Sequence, residues 1–281
     1  MKKLLILLFT VNFTSCTLLD GFDETPMFIQ VDSVSLSTNG NQGWPSHKIS
    51  DIEVFADGFS VGVFNLPAKV PVLQINDSID ITIAPVIRNN GISSNPVKYP
   101  FYQNLDFSFL FEEGTTIPLS PTFKYRNDAV IVPICDFEIS NCINLDFDQN
   151  INIGFIKSSD TEYGDFSGLI EIEEANTFFE KGSFTQINKS LLSNNIAFLE
   201  MDYKCEIGFG VGVILSGQGV PDFPAYKIVL KPQETWNKIY IEISQLISPS
   251  NVEGFRILFG TTTATTIPGK IWVDNLRVVH F

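Results

Sequence analysis

Few residues in this sequence combine the type and the spacing that enzyme chemistry needs. Histidine occurs only at His47 and His280, so a Ser-His-acid triad would have to use one of these two. His47 lies in the segment NGNQGWPSHK, whose Gly, Asn and Pro residues predict a solvent-facing loop. His280 is the penultimate residue of a predicted terminal strand, where positioning and desolvation are poor. Neither histidine is therefore expected to act as a catalytic base.

The other chemistry-bearing residue types also form no local motif. The sequence contains 32 Asp and Glu residues, but two carboxylates suited to glycoside cleavage meet only in three dimensions. The glycines Gly208, Gly210 and Gly212 lie inside an apolar segment with no helix after it. This context argues against a phosphate-binding loop and favours close packing in a sheet. We therefore expect no catalytic residues and a protein that is not an enzyme.

The four cysteines have different predicted roles. Cys205 belongs to LEMDYKCEI, where strict alternation of apolar and polar residues predicts a half-buried strand with Cys205 pointing inward. No second cysteine or histidine stands at metal-ligand spacing. Cys135 and Cys142 are seven residues apart and can close a small disulfide loop in an oxidising compartment. Spacing alone does not show that their Cβ vectors face each other, so two free thiols are the alternative.

Cys16 ends a segment that predicts export and lipidation. Lys2 and Lys3 precede a short apolar core, and Thr14 and Ser15 supply small residues before Cys16. The core is much shorter than the ~18 to 20 residues that a membrane-spanning helix needs. We predict a lipoprotein signal peptide at residues 1–15, lipidation of Cys16 and a tether at residues 16–26. The alternatives are a chance cysteine after an ordinary secretory signal, or a buried cysteine in an uncleaved chain.

The charge balance limits the partners of the protein. The formal net charge is −14, and residues 1–15 contain two of the 18 basic residues and no acid. No cluster of Lys or Arg follows Lys3, so nucleic acid is excluded as a partner and anionic lipid is disfavoured. The acidic surface is compatible with divalent cations, neutral glycans or basic proteins, and it also simply promotes solubility.

The predicted elements are almost all strands. They are short, rich in β-branched and aromatic residues, and separated by Gly, Pro, Asn and Asp, as in sandwiches and barrels. Ala56-Asp57-Gly58 predicts a tight hairpin between two of them. The segment PTFKYRND separates two sets of strands. We therefore predict an all-β fold with two β-sandwich domains, at residues 27–125 and 126–281.

Exposed aromatic residues are the remaining sign of a binding site, because flat rings stack on the CH faces of sugars. Trp44 lies in a polar loop and is the best candidate for contact with a sugar. Tyr99 and Tyr102 in KYPFYQN form a second predicted exposed cluster, although this Pro-kinked segment is equally suited to packing between domains. Trp236 and Trp272 lie beside or within predicted strands, so we assign both to the core.

The segment Ser46–Tyr102 resembles a family of surface lipoproteins of Bacteroidota-type bacteria. It contains their phrase "DG-x-x-x-G-x-F-x-LP", here Asp57-Gly58, Gly62, Phe64 and Leu66-Pro67. The resemblance implies an immunoglobulin- or prealbumin-like first domain and an outer-membrane lipoprotein displayed at the cell surface. It implies no particular chemistry.

The second predicted domain is similar to the jelly-roll sandwiches of carbohydrate-binding modules. The similarity rests on Asp136-Phe137-Glu138 near its start and on Ile271-Trp272-Val273-Asp274-Asn275-Leu276 at its end. It implies that Glu138 and Asp274 bind a structural Ca²⁺ ion. The competing interpretation is that both acids accept hydrogen bonds at strand ends, because Ca²⁺ needs roughly six to eight oxygen ligands.

These observations indicate a lipid-anchored, non-catalytic binding module of the cell envelope that binds a glycan or matrix through the jelly roll. The alternative is a structural or assembly subunit of an outer-membrane protein complex. A glycan-active enzyme is the third hypothesis.

Overall fold

The computed structural model describes residues 25–73, 76–149, 151–173, 178–194, 196–218, 220–261 and 268–281. The predicted signal peptide and Cys16 lie outside these residues. Strands dominate the described chain, and the predicted all-β, sandwich-like class is confirmed. Among the described residues, no helix is both long enough and apolar enough to cross a membrane.

The N-terminal part forms three small sheets. The strands are β1 (Met27–Val31), β2 (Ser35–Ser37), β3 (Asp51–Ala56), β4 (Phe59–Asn65), β5 (Ala68–Val72), β6 (Ser78–Arg88), β7 (Pro96–Lys98), β8 (Leu105–Leu110), β9 (Thr116–Leu119) and β10 (Thr122–Lys124). One sheet has the order β4-β3-β6-β7, with β8 also paired to β6. A second has the order β5-β1-β9, and β10 pairs with β2.

The β3–β4 hairpin forms where the sequence predicts it. Asp57 and Gly58 have φ angles of 49° and 81°, which suit the tight turns that join antiparallel strands. Ile52 and Val54 of β3 point inward and are fully buried. They belong to an apolar core that includes Ile29 of β1 on the neighbouring sheet. Two sheets thus enclose the N-terminal core as a sandwich.

The C-terminal part forms two larger antiparallel sheets. Its strands are β11 (Val130–Cys135), β12 (Ile143–Asp146), β13 (Ile156–Ser158), β14 (Ser167–Ile172), β15 (Glu180–Ser183), β16 (Ile187–Asn188), β17 (Ala197–Cys205), β18 (Phe209–Gly217), β19 (Val220–Leu230), β20 (Gln233–Glu242), β21 (Val252–Gly260) and β22 (Gly269–His280). Sheet I has the order β13-β14-β22-β17-β20, with β11 on β22; sheet II has the order β12-β15-β21-β18-β19, with β16 on β21. A one-turn helix, Ser244–Ile247, follows β20.

Strand β17 shows how sheet I is packed. Leu199, Met201 and Cys205 point into the core between sheets I and II, as their alternation predicts. Glu200 and Asp202 point to the other side, yet they are only 0% and 2% exposed. The prediction of a half-buried strand is therefore wrong, because the N-terminal part covers the outer face of sheet I at one end.

Tyr99 and Tyr102 lie in this covered region and are not exposed. The two residues are 1% and 3% exposed. Tyr99 packs 5.3 Å from Phe198 and 4.8 Å from Tyr240 between ring centroids, and Tyr102 donates to or accepts from the Tyr240 hydroxyl at 3.1 Å. The interpretation as an exposed cluster is wrong for both residues. The alternative interpretation agrees with the structure, because the aromatic segment packs between the two parts of the chain.

Both histidines are also more buried than the sequence predicts. His280 is 2% exposed, and its Nδ1 is 2.8 Å from the carbonyl oxygen of Phe281. His47 is half-buried, and burial together with the charge of Lys238 lowers its pKa.

Phe198, Tyr240 and Val279 of the C-terminal sheets belong to the N-terminal core cluster. The domain boundary at residues 125 and 126 and the immunoglobulin- or prealbumin-like type stay predictions.

Candidate functional site

The uncovered end of the outer face of sheet I carries two tryptophans. Trp272 of β22 lies opposite Lys204 on β17 and Leu169 on β14, so these three side chains share one face. Trp236 of β20 is half-buried. Neither tryptophan belongs to a core cluster among the described residues. The assignment to the core is therefore wrong for Trp236. Trp272 is buried as predicted, with 9% exposure, but its ring lies on the outer face of sheet I and not in the sandwich interior.

Lys204 and Asp160 hold these two rings together. The Lys204 ammonium is 4.4 Å from the ring centroid of Trp272 and 5.8 Å from that of Trp236. It also forms an ion pair with Asp160, whose Oδ1 accepts a hydrogen bond from Trp236 Nε1 at 3.2 Å. The hydrogen bond from Lys204 lowers the pKa of Asp160. The four side chains consequently form one assembly with a fixed charge distribution.

The loop of residues 159–166 connects this assembly to Trp44. Trp44 stacks on Tyr163 with ring centroids 6.1 Å apart and an interplanar angle of 23°. Gly164 has a φ of 69°, and a Cβ there would lie 2.1 Å from Glu138 Oε1 and 3.3 Å from the Trp44 ring. Trp44 is 40% exposed, so its predicted exposure is confirmed. We call Trp44, Tyr163, Asp160, Lys204, Trp236 and Trp272 the tryptophan face.

Polar side chains border the tryptophan face. A cleft of about 420 Å³ lies beside Trp272 and is also lined by Glu206, Gln233 and Glu234. The carboxylates can accept hydrogen bonds from hydroxyl groups, and the Gln233 amide can both accept and donate them. The face therefore combines flat apolar rings with hydrogen-bonding groups at its edge.

Glu138 and Asp274, the two predicted calcium ligands, lie against the same loop. Glu138 Oε1 accepts hydrogen bonds from the backbone N–H groups of Asp165 at 2.9 Å and Phe166 at 3.2 Å. Asp274 is 1% exposed, its Oδ1 accepts from the Asn275 N–H at 2.7 Å, and its Oδ2 lies 3.2 Å from Thr161 Oγ1. Burial raises the pKa of Asp274 to about 8.

These donors do not by themselves provide a calcium site. The described residues contain no group of three or more His, Cys, Asp or Glu side chains that could hold a metal ion. Both acids make hydrogen bonds of the kind that the competing interpretation requires, and two carboxylates fall short of the six to eight oxygens usual for Ca²⁺. The calcium site stays a prediction.

Three cysteines lie within the described residues. Cys135 and Cys142 form a disulfide with their Cα atoms 5.5 Å apart. Cys205 is a free thiol in the core, and burial raises its pKa to about 11. A thiol in this state is inert near neutral pH.

Sheet II presents a different outer face. The ring of Tyr226 lies against the backbone of Gly210 and Gly260, where an added Cβ would come within 2.7 Å and 2.0 Å of Tyr226 atoms. Its hydroxyl donates to Glu180 Oε1 at 2.8 Å. The predicted role of Gly210 in close packing is confirmed. Tyr226 remains 37% exposed, which makes it a comparison residue for the tryptophan face.

Sequence reasoning missed Lys204, Asp160, Trp236 and Trp272 as site residues. The alternation that places Cys205 inward also places Lys204 outward, and this signal was available in the sequence. The pairing of β17 with β22, which brings Lys204 to Trp272, joins strands far apart in the sequence and has no local signature.

No protein-family model and no curated protein matches this chain. Among solved structures, the chain is similar to the family 30 carbohydrate-binding module of a cellulosomal cellulase of Clostridium thermocellum. The two share 13% identity with a TM-score of 0.41, over 53% of this chain and 96% of that chain. A family 29 carbohydrate-binding module from Piromyces equi shares 9% identity with a TM-score of 0.34, over 55% of this chain and 92% of that chain. At such low scores, the similarity does not indicate what this chain binds.

Proposed function

We propose that this chain is a non-catalytic glycan-binding protein held in the cell envelope by lipid on Cys16, and that the tryptophan face binds the glycan. One observation supports the site above all others. Each of the three tryptophans in the sequence contacts the loop of residues 159–166 or a side chain bound to it.

The chemistry of the tryptophan face suits a sugar. Aromatic rings cover the apolar CH face of a pyranose, while a few polar groups around them fix its orientation through hydrogen bonds. Here the partly exposed rings of Trp44 and Trp236 supply the apolar surface. Asp160 is exposed beside Trp236, and Gln233 borders the cleft beside Trp272.

Charge favours a neutral glycan over an anionic one. Glu206 and Glu234 line the cleft, and the ammonium of Lys204 is already paired with Asp160. An anionic sugar would meet carboxylates without a free counter-charge, within a chain whose net charge is −14.

The state of Asp160 argues against a role as a general acid. A general acid must carry a proton near the working pH, which requires a carboxyl group with a raised pKa. The hydrogen bond from Lys204 instead lowers the pKa of Asp160. The carboxylate therefore stays ionised and serves to orient Lys204 and Trp236.

Binding is tested by affinity gel electrophoresis against a panel of neutral polysaccharides, with polygalacturonate and alginate as anionic members. The expected result is retardation of the wild-type protein by at least one neutral polysaccharide and by neither anionic one. Retardation should be lost in the double variant Trp44→Ala and Trp236→Ala. Absence of retardation by every neutral polysaccharide would contradict the proposed function.

Anchoring is tested separately by metabolic labelling with a fatty-acid analogue. The wild-type chain should incorporate the label and sediment with membranes, whereas Cys16→Ala should do neither. A labelled Cys16→Ala chain would place the lipid elsewhere, and an unlabelled wild-type chain would remove the anchor from the proposal.

Strand β4 supports the second candidate function, assembly into an envelope complex. Its sequence FSVGVFN has no charged residue, and Phe59 and Val63 are 69% and 51% exposed. Among the described strands, β4 pairs only with β3, which leaves one edge open to a further strand. Envelope crosslinking should then give one discrete adduct that Val63→Lys abolishes, and an unchanged adduct in that variant would contradict this candidate.

A further inference from the structure

A buried arginine of the C-terminal part of the chain binds the backbone of the loop that carries Trp44. Arg277 on β22 is 2% exposed. Its Nη1 donates to the carbonyl oxygen of Trp44 at 3.1 Å and also to that of Gln42. Its Nη2 donates to the carbonyl oxygen of Ser46 at 3.4 Å. One guanidinium group therefore binds three backbone carbonyls across the segment that contains Trp44.

Arg277 is itself fixed by a buried carboxylate. Its Nε donates to Glu200 Oε2 at 2.9 Å, and Glu200 also accepts from the hydroxyls of Tyr99 at 2.6 Å and Tyr125 at 2.8 Å. Burial tends to raise the pKa of Glu200, but the positive charges of Arg277 and Lys238 outweigh it and lower the pKa. The pair therefore stays ionised, and the hydrogen bond from Nε to Glu200 fixes the direction of the guanidinium.

Close packing leaves the loop no room to shift toward the sheet. The Ser46 hydroxyl donates to Asp202, which also accepts from Asn275 Nδ2 at 2.9 Å. Gly43 has a φ of 74°, and a Cβ on it would lie 3.0 Å from both Arg277 Nη1 and Asn275 Oδ1. The position of the loop thus depends on contacts with β17 and β22.

We propose that the glycan site is composite, with Trp44 forming one wall of a site otherwise built on sheet I, and that Arg277 is its positioning residue. The inference rests on the proposed function. Arg277 acts through the loop backbone and sets the Trp44 ring against Tyr163. The C-terminal sheets alone would then present only the Trp236 and Trp272 end of the face.

Arg277→Lys tests the positioning role directly. Lysine keeps a positive charge beside Glu200 but cannot donate to three carbonyls through a planar fork. We expect the affinity for the neutral polysaccharide that best retards the wild type to fall about tenfold, close to the effect of Trp44→Ala. The Trp44–Tyr163 contribution to the near-ultraviolet circular dichroism should weaken as well.

Gly43→Ala is a second test of the positioning role, which is needed if Arg277→Lys prevents folding. The added methyl group must displace the exposed loop, because its backbone conformation is strained and its neighbours are 3.0 Å away. Gly40→Ala is the matched control in the same loop, since nothing lies within 4 Å of its Cβ. Gly43→Ala should lose about fivefold or more in affinity, and Gly40→Ala should stay within about twofold of the wild type.

A double variant separates positioning from general damage. If Gly43→Ala acts through Trp44, it should cause no further loss of affinity in the Trp44→Ala background. A further loss of affinity in the double variant would overturn the composite site. Wild-type affinity in both single variants, Gly43→Ala and Trp44→Ala, would also overturn it. Either result would leave binding by Trp236 intact. If the wild type binds no neutral polysaccharide, the proposed function and this inference fail together.

Discussion

At the scale of single residues, the local sequence pattern predicts which way a side chain points but not what packs around it. Alternation correctly turns Cys205 inward, because a strand repeats every two residues. Tyr99 is buried against Phe198 and Tyr240, and nothing in KYPFYQN reveals that surface. Exposure of an aromatic residue depends on what packs over it, so the prediction was confirmed for Trp44 and wrong for Tyr99.

Asp274 gives a prediction about pH at this scale. Its pKa in the folded chain is raised to about 8 by burial, above its ordinary value, so folding favours the protonated form. The stability that depends on this proton is complete below the unfolded-state pKa and declines as the pH rises toward 8. Asp274→Asn cannot ionise and should remove this decline.

We expect Asp274→Asn to gain about 3 to 4 kcal/mol in free energy of unfolding relative to the wild type between pH 5 and pH 8, since each pH unit in this interval costs the wild type about 1.4 kcal/mol. The measurement is urea unfolding of both proteins at the two pH values in the presence of a chelator. Parallel changes in the two proteins would show that Asp274 does not carry the effect. Repetition with excess Ca²⁺ should stabilise only the wild type at pH 8 if the predicted calcium site forms.

At the scale of elements, glycines shape the faces of the sheets. Gly210 and Gly260 let Tyr226 lie on sheet II, whereas sheet I has large side chains at the tryptophan face. The glycine run of β18 was interpretable from sequence as a packing signal. Its partner Tyr226 was not, because the pairing of β18 with β19 has a register shift between Val211 and Gly212.

Gly210→Ala tests this packing. The new Cβ would lie 2.7 Å from the Tyr226 ring, and such overpacking costs about 1 to 3 kcal/mol. The cost should shrink in the Tyr226→Ala background, since the ring is then absent. Denaturant unfolding of the four proteins measures the coupling, and equal costs in both backgrounds would contradict the contact.

At the scale of the whole molecule, the two parts of the chain are joined by buried polar groups as well as rings. Glu200 and Arg277 of sheet I contact Tyr99, Tyr125 and the Trp44 loop. Removing one partner of a buried ion pair typically costs about 3 to 5 kcal/mol. The sequence predicts a domain boundary near residue 125. It does not predict the interface between the two parts, because the contacting residues are far apart in the sequence and meet only in the folded chain.

This interface predicts a single unfolding transition. Phe198, Tyr240 and Val279 belong to the N-terminal core cluster, so the N-terminal core cannot be lost without exposing sheet I. Far- and near-ultraviolet circular dichroism should therefore give coincident thermal transitions, with matching calorimetric and van't Hoff enthalpies. Two separate transitions would show that the parts fold independently.

Binding of a neutral glycan by the tryptophan face can be measured directly. Isothermal titration with the polysaccharide that best retards the wild type compares Trp236→Ala with Tyr226→Ala, a partly exposed aromatic residue on the opposite sheet. We expect a loss of affinity of about tenfold or more for Trp236→Ala and a change within about twofold for Tyr226→Ala. Unchanged affinity in Trp236→Ala, with a loss in Tyr226→Ala, would place the glycan on sheet II and contradict the account.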